Sequence, residues 1–189
     1  NEDFNINSVS VGKGANSLSD NTVLGASALD ASVSGNYNTA IGKNALTTLT
    51  SGASNVAIGR AALQTVSTGS QNVAVGQSAL ANQSGSTSNN TAVGYNSLGA
   101  NQTGASNVAV GAFALDANTT ASANTAVGYN AGTANTTGHS LCSVGTYALQ
   151  SNTTGDQNTA FGRSALQNNT TADNNSAFGK DALKANTTG

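Results

Sequence analysis

The sequence contains no proline, methionine or tryptophan, and it has one cysteine, Cys142, and one histidine, His139. The absence of proline leaves every backbone N–H able to pair, which suits a continuous β-ladder. One cysteine cannot form an internal disulfide, so stability must come from packing. Charged residues make up only 7% of the chain, against roughly 25% in ordinary globular proteins. We therefore expect a surface covered by Asn, Ser, Thr, Gln and Gly.

Low charge and the lack of long apolar runs exclude two further classes of partner. The formal net charge is −2, so no strong field draws the chain to nucleic acid or to an anionic membrane. No apolar run is long enough to cross a bilayer. We expect neither nucleic-acid binding nor membrane insertion.

What the chain has throughout is a repeat. Eleven tetrapeptides, most of them variants of Thr/Val-Ala-Val-Gly, each end in glycine, and eight of the ten intervals between these glycines equal the step from Gly25 to Gly42. A short fixed period indicates a solenoid, in which one small unit stacks on itself. We predict a lead-in or cap over residues 1–7 and one continuous array over residues 8–189. The glycines are Gly12, Gly25, Gly42, Gly59, Gly76, Gly94, Gly111, Gly128, Gly145, Gly162 and Gly179.

Positions in each unit are numbered from this glycine, which is position 0. A large apolar residue always stands at −1, Ala stands at −2 in eight units, and −3 is Val, Thr, Cys or Ser. Such alternation is typical of a strand, and it predicts that position −1 faces the core together with the Leu found at +4. The predicted core comprises Val11, Ile41, Ile58, Val75, Val93, Val110, Val127, Val144, Phe161 and Phe178, with Leu46, Leu63, Leu80, Leu98, Leu115, Leu149, Leu166 and Leu183.

The remainder of the unit predicts a second strand around Ala-Leu, followed by a polar loop that often reads Asn-Thr-Thr-Gly. Asn occupies position −4 in nine units. In a stack these side chains can form a hydrogen-bonded ladder and can also serve as turn residues, and we favour the ladder. Leu141 interrupts the row. The one 18-residue interval, from Gly76 to Gly94, predicts a bulge near Gly85 and Ser86.

Each coil contributes only two large apolar side chains to a whole repeat unit. That is too small a core to offset the backbone entropy lost by an isolated chain. A row of Ala lets neighbouring backbones approach closely. We therefore expect self-association, with a trimer about a shared axis as the favoured form.

The stretches NTAVGYNSL, NVAIGRAAL and NTAFGRSAL resemble the head repeats of trimeric autotransporter adhesins (the YadA-like heads). They resemble still more the 17-residue arrays of phage tail-fibre-like proteins. The resemblance covers residues 7–189. It implies an all-β fold, a left-handed parallel β-roll (a repeat β-solenoid of about eleven 17-residue coils) assembled as a homotrimer and used for surface attachment. Adhesin coils are shorter than these.

Residues able to carry chemistry are few. His139 lies in a polar loop without an evident partner for acid–base catalysis. Cys142 takes the −3 slot of its strand, which we expect to face inward, so it is interpreted as a small buried hydrophobe. The Asp residues do not recur with the period of calcium-binding rolls. We predict no enzymatic activity, no cofactor and no metal site.

Four aromatic residues stand one or two positions after the glycine in consecutive coils. They are Tyr95, Phe113, Tyr129 and Tyr147. An exposed row of this kind can stack on sugar rings or on a partner protein, or its members can stack only on one another. Rows of Thr raise ice binding as a further reading, which we rank lower because position −3 is expected to face inward.

Together these features predict a non-enzymatic structural or adhesive fibre segment at a virion or cell surface, outside the cell. It would mediate attachment through a rigid trimeric β-roll, with itself and a surface receptor or glycan as partners. The alternative is a subunit of an extracellular filament polymerised end to end by axial stacking. An ice- or glycan-binding solenoid is the less favoured reading.

Overall fold

A computed structural model of the chain describes residues 4–6, 9–14 and 20–188. Within this part the fold is all-β, with short strands joined by turns and no helix. All the strands belong to one sheet, in which their order is their order in the sequence. The strands are β1 Phe4–Ile6, β2 Val9–Gly12, β3 Thr22–Gly25, β4 Thr39–Ile41, β5 Val56–Ile58, β6 Val73–Val75, β7 Thr91–Val93, β8 Val108–Val110, β9 Thr125–Val127, β10 Cys142–Val144, β11 Thr159–Phe161 and β12 Ser176–Phe178.

From β3 to β12 the strands pair in parallel, each with the equivalent strand of the next unit. Ala40 lies opposite Ala57, and Ala57 lies opposite Ala74. The register survives the 18-residue unit, because Ala74 lies opposite Ala92. The predicted β-solenoid is therefore confirmed. Ten strands at about 4.8 Å spacing make about nine turns and a stack about 43 Å long.

The first of the eleven predicted units does not join the stack. β2 runs antiparallel to β3, with Val11 opposite Leu24, and β1 runs antiparallel to β2. The step from Gly12 to Gly25 is shorter than every other step of the repeat. It is too short to complete a coil, so the chain folds back on itself. The parallel array thus begins at β3, and strand β1, within the predicted lead-in, lies at the edge of the sheet.

The Ala-Leu segment is a chain of turns and not the predicted second strand. The Leu at +4 adopts the left-handed backbone region in every coil that has it, for example φ 48° at Leu63 and 50° at Leu115. Its N–H still pairs between coils, as Leu63 N donates to Ala79 O at 3.0 Å. The backbone therefore satisfies its hydrogen bonds without extended geometry.

The interior is built from small residues and leucine. Ala at −2 is fully buried, as Ala57 and Ala126 show, and so are Leu63 and Leu115 at +4. Of the predicted Leu core, Leu183 in the last coil is the exception, 52% exposed. Leu at +4 and Ala at +3 fill the narrow space within a 17-residue coil, so the facing position −2 takes Ala in most coils and the slightly larger Val23 or Ser143 in two.

Position −1 lies on the outer surface, which corrects the predicted inward orientation of this row. Ile58 and Val127 are each 37% exposed and Phe178 is 70% exposed. Because alternate strand residues point to opposite faces, burial of −2 puts both −3 and −1 outside. The outward row contains Val11, Ile41, Ile58, Val75, Val93, Val110, Val127, Val144, Phe161 and Phe178.

Two buried columns of amide side chains run along the stack. In the predicted ladder at −4, Asn55 N donates to Asn38 Oδ1 at 3.0 Å and Asn55 Nδ2 donates to Gly69 O at 2.9 Å. Leu141 interrupts this ladder, although its N–H still donates to Asn124 Oδ1 at 2.9 Å. The ladder reading of the Asn row is confirmed.

The second amide column lies at +7 and was not foreseen. It begins with the apolar Leu49 and Val66, passes through Gln83, and continues as Asn. From Asn118 onwards each Asn donates to the Asn before it, as in Asn118 Nδ2 to Asn101 Oδ1 at 2.9 Å. The Asn members are Asn101, Asn118, Asn135, Asn152, Asn169 and Asn186.

Candidate functional site

The corner after each strand is held at a fixed height by the glycine at position 0. Gly111 has φ 134°, and a Cβ on it would lie 2.5 Å from Gly128 O. Only glycine allows this conformation and this close approach between coils. As a result, side chains at +1 and +2 stack one above another at the coil spacing.

The four predicted aromatic residues form one continuous column at this corner. Ring centroids are 5.2 Å apart for Tyr95–Phe113, 6.2 Å for Phe113–Tyr129 and 5.7 Å for Tyr129–Tyr147, and every pair meets edge to face. The rings alternate between +1 and +2, which sets successive ring planes nearly perpendicular. We call this set of four residues the aromatic column.

Stacking between the rings does not hide them. Tyr95 and Tyr129, at +1, are each 45% exposed. Phe113, between them, and Tyr147, at the end of the column, stand at +2 and are partly buried. Edge-to-face pairs stabilise by about 0.5–1.5 kcal/mol each, so the column is a rigid surface. It therefore combines mutual stacking with two tyrosine rings that remain available to a ligand.

A polar cleft lies at the N-terminal end of the aromatic column. Its volume is about 330 Å³, and its lining includes Ser78 and Asn96 at +2, Asn82 at +6 and Asp116 at +5. Phe113, the next member of the +2 column after Asn96, lies one coil further along. We call this feature the Asp116 cleft.

The Asp116 cleft results from two small residues at position +5. Ala81 and Gly99 line it, whereas the preceding coil has Gln64 at this position. A Cβ on Gly99 would come 2.8 Å from Asp116 Oδ1, so the carboxylate lies over the glycine. The small residues at 81 and 99 are visible in the sequence. The repeat pattern does not predict the cleft from them, because they depart from the repeat.

The Asp116 carboxylate is poorly solvated. Burial raises the pKa of Asp116 above its ordinary value of 3.8, because desolvation disfavours the charged form. Among the described residues none donates a hydrogen bond to this carboxylate or forms an ion pair with it. The nearby Asn82 Nδ2 donates instead to Gly99 O at 2.8 Å. The carboxylate thus has accepting capacity that the protein does not use.

A second cleft, of about 450 Å³, marks the predicted bulge in the 18-residue unit. It is lined by Ser84, Gly85, Ser86, Thr87 and Ser88. Its hydroxyls bond largely to the main chain: Thr87 Oγ1 donates to Ser84 O at 2.9 Å and Ser88 Oγ donates to Ser86 O at 3.0 Å. These groups stabilise the bulge itself.

The outer strand face, formed by positions −3 and −1 of β3 to β12, has an apolar residue at −1 in every strand and Thr, Val, Cys or Ser at −3. No charged residue occurs at either position in any of the ten strands. Near the C-terminal end Phe161 and Phe178 stack at 6.4 Å with planes 23° apart. The continuous apolar row at −1 is typical of an interaction surface. Ala at −2 does not contribute to it, which corrects the expectation that the Ala row meets a neighbouring chain.

The remaining candidate residues have structural surroundings. His139 Nδ1 accepts from Ser122 N at 3.0 Å, and His139 N donates to Asp156 Oδ1 at 2.7 Å. Cys142 is a free, partly buried thiol at −3 on the outer strand face and not in the interior. Within the described ranges no three His, Cys, Asp or Glu side chains are grouped so as to hold a metal ion.

The fold and these surfaces define a parallel β-solenoid repeat protein. No family model, no curated protein and no solved structure matches the chain. Over the part of the chain that the structure describes, no helix is long and apolar enough to cross a membrane.

Proposed function

We propose that the chain is a non-enzymatic fibre segment, outside the cell, that attaches a virion or cell surface to its target. Three copies wind as left-handed rolls and associate through their outer strand faces. The observation that carries the proposal is the outer strand face itself, uncharged in all ten strands. Such a strip is costly to leave in water, and its burial against identical copies removes that cost.

The shape of the outer strand face supports a trimer. The strip is two side chains wide and about 43 Å long, so three strips can converge on one axis. Parallel, in-register coils place Val110 of one copy at the same height as Val110 of the others. The aromatic column would then border the strip at the corner after each strand, and the Asp116 cleft would lie beyond that corner, on a face open to a target.

Attachment through such a rod depends on geometry and not on chemistry at a reactive group. A trimer would present three aromatic columns and three Asp116 clefts. Weak contacts at each add through multivalency, so that avidity far exceeds the affinity of one site. The rigid stacking of Tyr95 to Tyr147 suits this role, because little ordering entropy remains to be lost on binding.

The trimer is tested by light scattering coupled to size exclusion. We expect three times the 18.4 kDa of one chain. The double variant Val110→Asp, Val127→Asp places charges in the outer strand face and should give monomers or unfolded chains. The matched control is Thr120→Asp, Thr137→Asp, on exposed positions of another face, and it should stay trimeric. A folded wild-type monomer would overturn the proposal.

Cys142 provides a second readout, because it lies within the outer strand face. In the trimer its thiol should react slowly with a chromogenic disulfide reagent, and the Val110→Asp, Val127→Asp variant should react fast. Equal, fast reaction in both would place the contact surface elsewhere.

Ice binding is a second candidate, favoured by the outward orientation of position −3. Thr39, Thr91, Thr125 and Thr159 lie on the outer strand face, contrary to the inward orientation assumed from the pattern. The row is broken by Val and by Cys142, so it ranks below attachment. A thermal-hysteresis measurement decides it, and electron micrographs showing indefinite threads would favour the filament alternative instead.

A further inference from the structure

We propose that the Asp116 cleft is a subsite for one ring of a neutral oligosaccharide, whose remaining rings lie along the aromatic column. The proposal rests on the attachment function proposed above and names the chemical class of its target.

The cleft has the size and position of a built site. Its volume of about 330 Å³ lies within the roughly 300–1,000 Å³ of small-molecule sites. It exists because Ala81 and Gly99 replace the longer side chains found at +5 in other coils, such as Gln64, Gln150 and Gln167. Two of these longer side chains bond to each other along the +5 column, since Gln167 Nε2 donates to Gln150 Oε1 at 2.7 Å.

The polar groups of the cleft match a ligand rich in hydroxyl groups. A carboxylate accepts hydrogen bonds only, and that of Asp116 has no donor among the described residues. A sugar hydroxyl donates one hydrogen bond and accepts others, so adjacent hydroxyls can donate to Asp116 while accepting from Asn96 and Ser78. Hydrogen bonds to a charged acceptor are the stronger kind. Hydrogen bonds from such donors would compensate for the desolvation that raises the pKa of Asp116.

Other ligand classes fit less well. A calcium ion requires about six to eight oxygen ligands, and the cleft offers one carboxylate. An anionic ligand would be repelled by Asp116, since no Lys or Arg lines the cleft. A neutral ligand with many donors remains.

The aromatic column extends the site from a single ring to a chain of rings. Tyr95 directly precedes Asn96 of the cleft, and its ring is half exposed, as is that of Tyr129. From Tyr95 to Tyr147 the column spans three coil spacings, or about 14 Å. Aromatic faces pack against the C–H faces of pyranose rings, while the tyrosine hydroxyls remain polar. The site therefore takes an oligosaccharide in preference to a monosaccharide.

The test uses the full chain on an array of neutral hexose and N-acetylhexosamine oligosaccharides. Ala81→Gln fills the cleft with the residue that the repeat itself uses at +5, so the coil should fold. Asp116→Asn removes the charge at constant shape. Thr47→Gln makes the same kind of change at +5 two coils before Ala81, outside the cleft and away from Asp116, and serves as the matched control.

We expect the wild type and Thr47→Gln to bind the same glycans. Asp116→Asn should weaken binding by about tenfold or more, as expected for loss of a charge-assisted hydrogen bond, and Ala81→Gln should weaken it at least as much. An array without any bound neutral glycan, or binding unchanged in both cleft variants, overturns the proposal.

A cell-binding assay separates this proposal from the attachment function. If the rod binds cells and Ala81→Gln binds them equally, attachment stands and the saccharide subsite is wrong. If the wild-type chain is a monomer that binds no cells, the attachment function fails, whatever the array shows. If Ala81→Gln does not fold, Asp116→Asn decides alone.

Discussion

Removal of one rung from the buried +7 amide column should lower stability by an amount that the structure allows to be worked out. Asn135 makes three hydrogen bonds there: Nδ2 donates to Asn118 Oδ1 at 3.2 Å and to Gly138 O at 2.9 Å, and Oδ1 accepts from Asn152 Nδ2 at 3.0 Å. The variant Asn135→Ala loses all three. Two of the former partners keep another bond, because Gly138 O still accepts from Asn124 and Asn152 still donates to Gly155 O.

Asn118 Oδ1 is the atom left without a donor in the interior. One buried acceptor without a partner costs about 1–3 kcal/mol, and the small cavity left by truncation adds to this. We expect Asn135→Ala to lower the free energy of unfolding by about 2–4 kcal/mol.

The measurement is urea unfolding followed by far-ultraviolet circular dichroism, at one fixed chain concentration because association affects apparent stability. Asn168→Ala is the control: it removes the same side chain from an exposed position and should change stability by less than about 0.5 kcal/mol. If the two variants unfolded at the same urea concentration, the amide column would not stabilise the stack and the reasoning would be wrong.

Two further perturbations have outcomes of definite sign. Gly111→Ala should prevent folding, because at φ 134° its Cβ would lie 2.5 Å from Gly128 O. Gly85→Ala, at φ 59° and with no atom within 4 Å of its Cβ, should lower the free energy of unfolding by only about 1 kcal/mol. Similar melting temperatures for the two variants would contradict the close contact between coils. Asp116 holds its proton more tightly when folded, so wild-type stability falls as pH rises from the ordinary carboxyl pKa of 3.8 through the raised native pKa. Asp116→Asn should therefore be the more stable form at pH 7 and lose that advantage at pH 3, and an advantage unchanged at pH 3 would refute this origin.

The period of the repeat carried most of the fold. Strands placed at the tetrapeptides, their parallel register and the ladder beginning at Asn21 all follow from a unit that returns at a fixed interval. Alternation within the strand gives two faces but does not say which one is inside. The variation in side-chain size distinguishes the two faces. Position −1 holds side chains as different in size as those of Val75 and Phe178, whereas the close-packed position −2 is Ala in most units.

The features that the repeat pattern does not predict occur where the sequence departs from the repeat. The short interval after Gly12 marked a unit that could not complete a coil. Ala81 and Gly99 marked the Asp116 cleft, and Gln83 marked the change from an apolar to an amide interior. The aromatic column was predictable because its members stand at the corner of consecutive coils. Its edge-to-face geometry was not, since ring planes depend on side-chain packing.

The change of interior at Gln83 divides the array into two kinds of unit. Before it, Leu49 and Val66 pack without polar partners, and after it each Asn requires another above and below. Gln83, between the two, bonds outside the +7 column: it donates to Thr87 O at 2.7 Å and accepts from Asn90 of the −4 ladder at 3.2 Å. Duplication or loss of a whole unit within one half should leave the packing of the remaining units unchanged. We therefore expect that recombination can change the length of the rod. Moving a unit from one side of Gln83 to the other would place a buried Asn against Leu or Val. We therefore expect units to be added or lost on either side of Gln83 but not exchanged between the two sides.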